Sequence, residues 1–332
     1  MTKQFIKSAC ACALALSALA STSRAAVTFS LDPDGSGAAS GFLFNVATLD
    51  WAPDSALADG GLDAVRNFLA GGPAAGNVFE TFTHGKLVGA LTVSNVNLLP
   101  GGGVGEITFI AGITERVVLA AAGGGVVTAA FDLVTGPAVT NFFEVYWSAA
   151  VDSNPLTGTG YNNGTLIMSG KSTSFQGAAS YTQSGLPTIM DANANGDQYG
   201  GQLTLPGGGS SQIVGVIDYI DSNFFQGLTA GATISFFTTQ QKNPYDQADP
   251  SAAFYKAPGA GAPTTDGIGL GIPSIGVING DLVTGGPDIQ FQTDASTSFE
   301  STVPEPMSLL VWGGVALAAG GLIRHRRRAS AN

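Results

Sequence analysis

Asn141-Phe142-Phe143-Glu144-Val145-Tyr146-Trp147 sets Phe143, Val145 and Trp147 on one side of an extended chain and Glu144 on the other. A period of two sends successive side chains to opposite faces, so this segment reads as a strand with one buried face. The pattern recurs on both sides of it. Phe42, Phe44 and Val46 share a face. Runs of strand length rich in β-branched and aromatic residues occupy Val27–Leu31, Val78–Thr83, Leu87–Ser94, Glu106–Ile110, Val126–Val134, Thr165–Gly170, Ile213–Tyr219, Thr233–Thr239 and Asp288–Thr293. Gly, Pro, Asn or Asp bounds each run, as turns require. Asn163-Gly164 has the composition of a two-residue hairpin turn, in which both central residues need positive φ. Leu62–Leu69 carries a short helical pattern, stopped by Gly71-Gly72. So many short strands predict an all-β fold, an antiparallel β-sandwich of jelly-roll kind. Ala257–Pro273, rich in Gly, Pro and Ala, reads as a surface loop, and Ser296–Pro306 as a linker.

Composition agrees. Only 11% of the 332 residues are charged and 44% are hydrophobic, the reverse of a disordered chain. The 47 glycines and 16 prolines suit many tight turns. Between Ala26 and Thr302 stand six basic and 23 acidic residues, a net charge of −17, because the other basic residues lie at the two ends. Such a body repels nucleic acid and anionic lipid. The two cysteines, Cys10 and Cys12, both fall in an N-terminal apolar run. The body therefore has no thiol for disulfides, thiolate catalysis or a Cys-based metal site.

The ends carry addresses. Lys3 and Lys7 precede the uncharged run Ala9–Ala20, and Ser23-Arg24-Ala25 puts small residues at −3 and −1 of a cleavage site after Ala25. Residues 1–25 therefore read as a secretory signal peptide. Residues 26–302 form the extracytoplasmic β-rich body, and 303–328 a terminal segment of three parts. Val303-Pro304-Glu305-Pro306 cannot form a regular helix and stays extended. Met307–Ile323 is uncharged and would rise ~26 Å as a helix, enough for a single span of a bilayer. Arg324, Arg326, Arg327 and Arg328 follow at once and belong on the cytoplasmic side.

This order of Pro-Glu-Pro, short apolar helix and arginine-rich end resembles the PEP-CTERM sorting signal. The resemblance implies recognition by an exosortase, a membrane-embedded transpeptidase-like protease. It further implies a precursor held in the inner membrane until it is processed near Pro304-Glu305-Pro306. Leu31–Gly35, Asn141–Trp147 and Asp288–Thr293 also look like pieces of the β-rich bodies that precede such tails. The expected product is an exported cell-surface or matrix protein of an exopolysaccharide-making Gram-negative bacterium. Its expected partners are exosortase, signal peptidase with the secretion machinery, the inner membrane in transit, and exopolysaccharide.

Few residues offer chemistry. Asp191-Ala192-Asn193-Ala194-Asn195-Gly196-Asp197 matches the opening of a D-x-[DN]-x-[DN]-G calcium loop, with Asp191, Asn193, Asn195 and Asp197 as candidate Ca²⁺ ligands. Gln202 stands where that loop has its bidentate Glu, and an Asn/Asp/Gly turn explains the same residues. Asp32-Pro33-Asp34-Gly35 reads as a solvated acidic turn. His84 is the only histidine of the body, and beside Gly85 it reads as an exposed turn residue. One histidine and no Gly-x-Ser-x-Gly elbow argue against serine-type or His-rich zinc catalysis, so a non-catalytic structural or interaction role is expected. The alternatives are a carbohydrate-binding module, with Trp51 stacking on a sugar ring, and a glycosidase that needs only two carboxylates.

Overall fold

The computed structural model describes residues 24–38, 41–99, 105–139, 141–182, 187–193, 202–254, 278–280, 282–283 and 285–302. The leader up to Ser23, the loop 257–273, Asn195, Asp197 and the sorting segment from Val303 onward lie outside these residues. Among the described residues no helix is long and apolar enough to cross a membrane. The expected span Met307–Ile323 is not among them.

The strands follow in chain order: β1 (Arg24–Ala26), β2 (Phe29–Leu31), β3 (Leu43–Trp51), β4 (Asp54–Asp59), β5 (Val78–Thr92), β6 (Glu106–Gly123), β7 (Val126–Leu133) and β8 (Asn141–Ser148). Then come β9 (Thr165–Thr182), β10 (Thr188–Ile189), β11 (Leu203–Thr204), β12 (Gly207–Ile220), β13 (Phe225–Gln226), β14 (Thr233–Asn243) and β15 (Ile289–Thr302). A helix, α1 (Gly61–Leu69), lies between β4 and β5 where the helical pattern falls, and Gly71 at φ 67° follows its end.

Pairing decides the architecture. β3 and β4 lie end to end between β5 and β15, interrupted at Ala52-Pro53, where proline has no N–H for the ladder. β7 and β8 likewise lie end to end between β6 and β9. With each broken pair taken as one stave, hydrogen bonding runs β3/β4, β5, β6, β7/β8, β9, β12, β14, β15 and back to β3/β4. Neighbours in the ring are neighbours in the chain, the arrangement of an up-and-down barrel. The class is all-β and antiparallel as the alternation predicts. The expected sandwich of two sheets is instead one sheet closed on itself. Long staves make closure possible: β6 and β9 have 18 residues each. Bulges at Val117/Leu119, Val214/Gly215 and Ile217/Tyr219 add the coiling that a closed sheet needs.

Contacts group Val27–Phe299 as one unit. The residues beyond it form a second unit, in which Arg24, Ala25 and Ala26 pair with Thr302, Ser301 and Glu300. Cleavage after Ala25 would remove two of the three residues of β1.

Three packing layers fill and clothe the barrel. Inward-facing Trp51, Phe109, Phe143, Val145, Phe236 and Phe299 belong to the main core. Trp51 is 1% exposed, its ring lies 4.7 Å from Phe109, and its Nε1–H donates to Thr297 Oγ1 at 2.7 Å. The expected sugar platform is thus a core residue. A second cluster lies outside the wall: Leu57, Phe82, Ile110 and Phe142 are covered by Tyr161, Met190, Tyr245 and Phe254 from the long connections. A third cluster, at the other end of the lumen, joins Ala58, Phe79, Val117, Val127 and Phe291 to Leu62 and Val65 of α1.

Other expectations change for physical reasons. Phe42 and Val46 are buried, but Phe44 is 57% exposed. Asn45 at φ 62° adds a residue opposite β2 and turns Phe44 outward. Asn163 and Gly164 are not a two-residue turn, because neither has positive φ and the connection from β8 to β9 spans 149–164. Ser296–Thr302 is not linker but the second half of β15. Val78–Thr83 and Leu87–Thr92 are parts of one strand that ends before Ser94, and His84-Gly85 lies in its middle.

Candidate functional site

The lumen is filled at one end and hollow at the other. Beside α1 the walls close around a cavity of about 50 Å³. Phe79, Val127, Ala129, Ala179, Ile289 and Phe291 line it from the staves, and Leu62 and Val65 cover it from the helix. Ala129 and Ala179 are the short side chains of a lining that also includes Phe79, Phe131, Phe175 and Phe291.

Glu115 of β6 points into this cavity and is 4% exposed. Burial pushes its carboxyl up to about 8, and a hydrogen bond with the Thr81 side chain only partly opposes the shift. The shift favours the carboxylic acid over the anion at neutral pH, and the acid form donates a hydrogen bond. Tyr181 also lines the cavity, and burial, then the Glu115 carboxyl, push its phenol up. Other polar lining groups already have partners. Asn279 Nδ2 donates to Thr204 Oγ1 at 2.8 Å and to Gln290 O at 2.9 Å, while Gln241 Nε2 donates to Ser211 Oγ at 3.3 Å.

One arginine fastens the helical cover. Arg66 Nε donates to Leu282 O at 2.6 Å, and its terminal nitrogens donate to the carbonyls of Gly285 and Gly286, each at 3.0 Å. Beneath the helix start, Asp59 is pushed up to about 7 by burial, then by Asp288 and Glu80. Gly60 N–H donates to Asp288 Oδ1 at 2.7 Å.

On the outer wall lies a constellation that the sequence reading missed. His84 Nδ1 is 3.2 Å from Asp54 Oδ2, and His84 Nε2 is 3.3 Å from Ser251 Oγ. Carboxylate, imidazole and hydroxyl thus follow in the order of an acyl-transfer triad. The surroundings do not suit that chemistry. His84 and Ser251 are 0% exposed and Asp54 2%. The Asp54–His84 contact has the distance of an ion pair but no well-directed hydrogen bond at Nδ1. Gly158, at φ 67°, seals the serine: a Cβ there would lie 2.3 Å from Ala253 Cβ and 2.8 Å from Ser251 Oγ. No acyl group can reach Ser251 while this loop is in place. Tyr161 OH donates to Asp54 Oδ2 at 2.5 Å and its ring stacks 4.1 Å from His84, with Phe254 on the imidazole at 5.2 Å. Ser251 N–H donates to Ser55 Oγ at 2.8 Å, and Gln290 Nε2 donates to Ser251 O at 2.9 Å. The network rivets the connections 149–164 and 244–254 to the barrel wall. His84 is therefore buried, not an exposed turn residue. Gly85 is needed because Phe109 lies 2.5 Å from where a Cβ would stand.

Of the calcium candidates, Asp191 and Asn193 are described. Asp191 is 8% exposed and bridges to Tyr245, and Asn193 N–H donates to Asp191 Oδ1 at 3.1 Å, closing an Asx turn. Among the described residues no group of three or more His, Cys, Asp or Glu side chains could hold a metal ion. Asp32 caps its own turn, accepting from Gly37 N–H at 2.8 Å, and is fully buried, not solvated.

Glu115 itself was legible. Ile107, Phe109, Ala111, Ile113 and Val117 form the inward series of β6, and Glu115 is the one charged residue among them. A search of family models, of curated proteins and of solved structures finds no match to this chain.

Proposed function

We propose that this chain is an exported surface or extracellular-matrix protein with a non-catalytic structural or interaction role, sorted through its C-terminal segment. One sequence observation carries the reading: Pro304-Glu305-Pro306, an uncharged run and an arginine cluster follow one another in that order. Met307–Ile323 acts as a single transmembrane helix that holds the precursor in the inner membrane, and exosortase processes it near the Pro-Glu-Pro segment. Features of the body support this assignment. A closed sheet presents few bare strand edges to other chains, which suits a protein concentrated in a matrix. Its cysteine-free composition needs no oxidative folding step after export. The one carboxylate–imidazole–hydroxyl array is sealed under Gly158.

Cell fractionation with mass mapping of both termini tests the proposal. The native chain should leave the membrane shortened at both ends, beginning at Ala26 and lacking the segment after Pro304-Glu305-Pro306. A Pro304→Ala/Glu305→Ala/Pro306→Ala variant should stay in the membrane at full C-terminal length. Full-length protein in the membrane in both cases reduces the tail to an ordinary anchor.

A further inference from the structure

A scaffold has no need of a hollow beside a buried acid. We propose that the lumen cavity beside α1 binds a small, uncharged, largely apolar molecule carrying one hydrogen-bond acceptor such as a carbonyl, with Glu115 as the donor that orients it. Four observations converge on this class of ligand. The space is walled by aliphatic and aromatic side chains from staves all around the barrel. Alanines at 129 and 179 keep it open, although either position could hold a larger residue that filled it. Glu115 and Tyr181 are the polar lining groups outside the internal bonds of Thr204, Gln241 and Asn279, and of the two Glu115, bonded to the Thr81 side chain, is the acid. Lastly, the cover is a short helix held by Arg66 and by the N–H groups of Leu62 and Asp63 to backbone carbonyls of the segment 282–287, not by a strand ladder of the barrel.

Charge complementarity narrows the class further. Among the described residues no cationic side chain lines the cavity, so a carboxylate or phosphate ligand would be buried there without a counter-charge. An acceptor-bearing neutral molecule meets the acid in the protonation state that its surroundings favour. The volume of about 50 Å³ corresponds to roughly three to five water-sized positions, so the ligand, or the part of it that enters, has few non-hydrogen atoms. Affinity is limited accordingly, to a Kd on the order of 0.1–10 mM for a molecule of this size.

Cyclopentanone is the probe and cyclopentane its control, since the two share a shape and only the ketone accepts a hydrogen bond. Titration of the exported full body, followed by melting temperature and by calorimetry, should show cyclopentanone binding about tenfold more tightly than cyclopentane. The carbonyl stretch of bound ¹³C-labelled cyclopentanone should move to lower frequency, as hydrogen bonding requires. Ketone binding to the native protein should weaken above about pH 8. It should persist without that pH dependence in Glu115→Gln, whose amide still donates. Ala129→Phe should abolish binding of both probes. Equal binding of cyclopentane and cyclopentanone to the native protein overturns the role of Glu115, without needing any variant to fold. Tighter binding of cyclopentylamine than of the ketone overturns the neutral class, and failure of every probe to shift the melting temperature overturns the site.

Discussion

Glu106 and Glu115 lie nine positions apart on β6 and face opposite sides of the same wall, and their surroundings push them in opposite directions. Glu106 is 5% exposed but fully engaged. Lys86 Nζ lies 2.8 Å from one carboxylate oxygen, the N–H groups of Asp152 and Ser153 donate to the other at 2.9 and 2.8 Å, and Ser153 Oγ adds a bond of 2.6 Å. Burial alone would raise its pKa, yet Lys86 and these donors hold it below the usual carboxylate range. Glu115 is about equally buried, has one neutral partner, and is raised to about 8. Desolvation pushes both carboxyls up, and the donors and the ammonium that face Glu106 reverse the push there, while at Glu115 one hydroxyl does not. On the outer face, loop 149–164 supplies those donors and is tied down by them. On the inner face the Thr81 side chain supplies one, and the hollow remains.

The largest expected loss from a single substitution breaks the outer half of the comparison. Glu106→Ala leaves two buried N–H groups and the Lys86 ammonium without their acceptor, and should cost about 3–5 kcal/mol of unfolding free energy in urea titration. Hydrogen exchange should quicken across 152–164 as the loop loses its anchor. If Glu106→Ala unfolds at the native urea midpoint, the bonds to Asp152 and Ser153 do not hold the loop.

The inner half predicts a dependence on pH. Glu115 has a folded pKa of about 8 against 4.5 when unfolded. A group raised on folding adds stability that is complete below its unfolded pKa and is lost as pH rises through the folded value. Stability should therefore fall between about pH 5 and 9, by on the order of 5 kcal/mol in total. Glu115→Gln should flatten this slope and be the more stable protein at pH 9. Glu106, with its pKa lowered, acts in the opposite sense: its contribution is present above the unfolded pKa and is lost as pH falls through the folded one. A slope unchanged in Glu115→Gln would falsify the assignment of Glu115 as the group that titrates.

The two faces were unequally legible in the sequence. The inward series of β6 shows its acid as soon as the strand is followed past Ile110, because a period of two carries the pattern to Val117. Nothing local marks the partners of Glu106 or of His84. Ser153 is 47 residues from Glu106 and Ser251 is 167 from His84, so only the folded connections bring them together. His84-Gly85 looked like a turn because glycine usually breaks a strand. Here it makes room for the ring of Phe109, its paired residue on the adjacent strand β6, a requirement that one strand alone does not reveal. Trp51 was placed on a surface for a similar reason: its burial depends on Thr297, which stands in a segment whose composition reads as linker. Closure was hidden too, since alternation specifies which side of a strand is buried but not whether the last strand returns to the first.

A smaller effect probes the cover of the inner cavity. Arg66→Met keeps the helix propensity and the apolar stem but removes the bonds to Leu282, Gly285 and Gly286. The cost should be about 1–2 kcal/mol, moderated because the side chain is partly exposed. Its distinctive sign is local. Exchange should accelerate in α1 and leave β8 and β9 unchanged, whereas a general loss of stability would quicken both.

The smallest effect lies at the helix start, where Asp59, Asp288 and Glu80 crowd together. Burial comes first among the causes that push Asp59 up to about 7, and the Asp288 charge and hydrogen bond come next. Asp59 therefore keeps its proton toward neutrality, since two carboxylates so close resist a second charge. Raising pH from 4 to 7 should cost stability, but Asp59 is partly solvated, so water and salt screen the repulsion to under about 1 kcal/mol. Asp59→Asn keeps a donor for Asp288 and removes that repulsion, so the variant should gain slightly at pH 7.5 and not at pH 4. The gain should shrink in 1 M salt, whereas the Glu115→Gln slope, set by desolvation away from salt, should not. Equal salt sensitivity of the two variants would mean that the inner cavity is open to solvent and that Glu115 is no more isolated than Asp59.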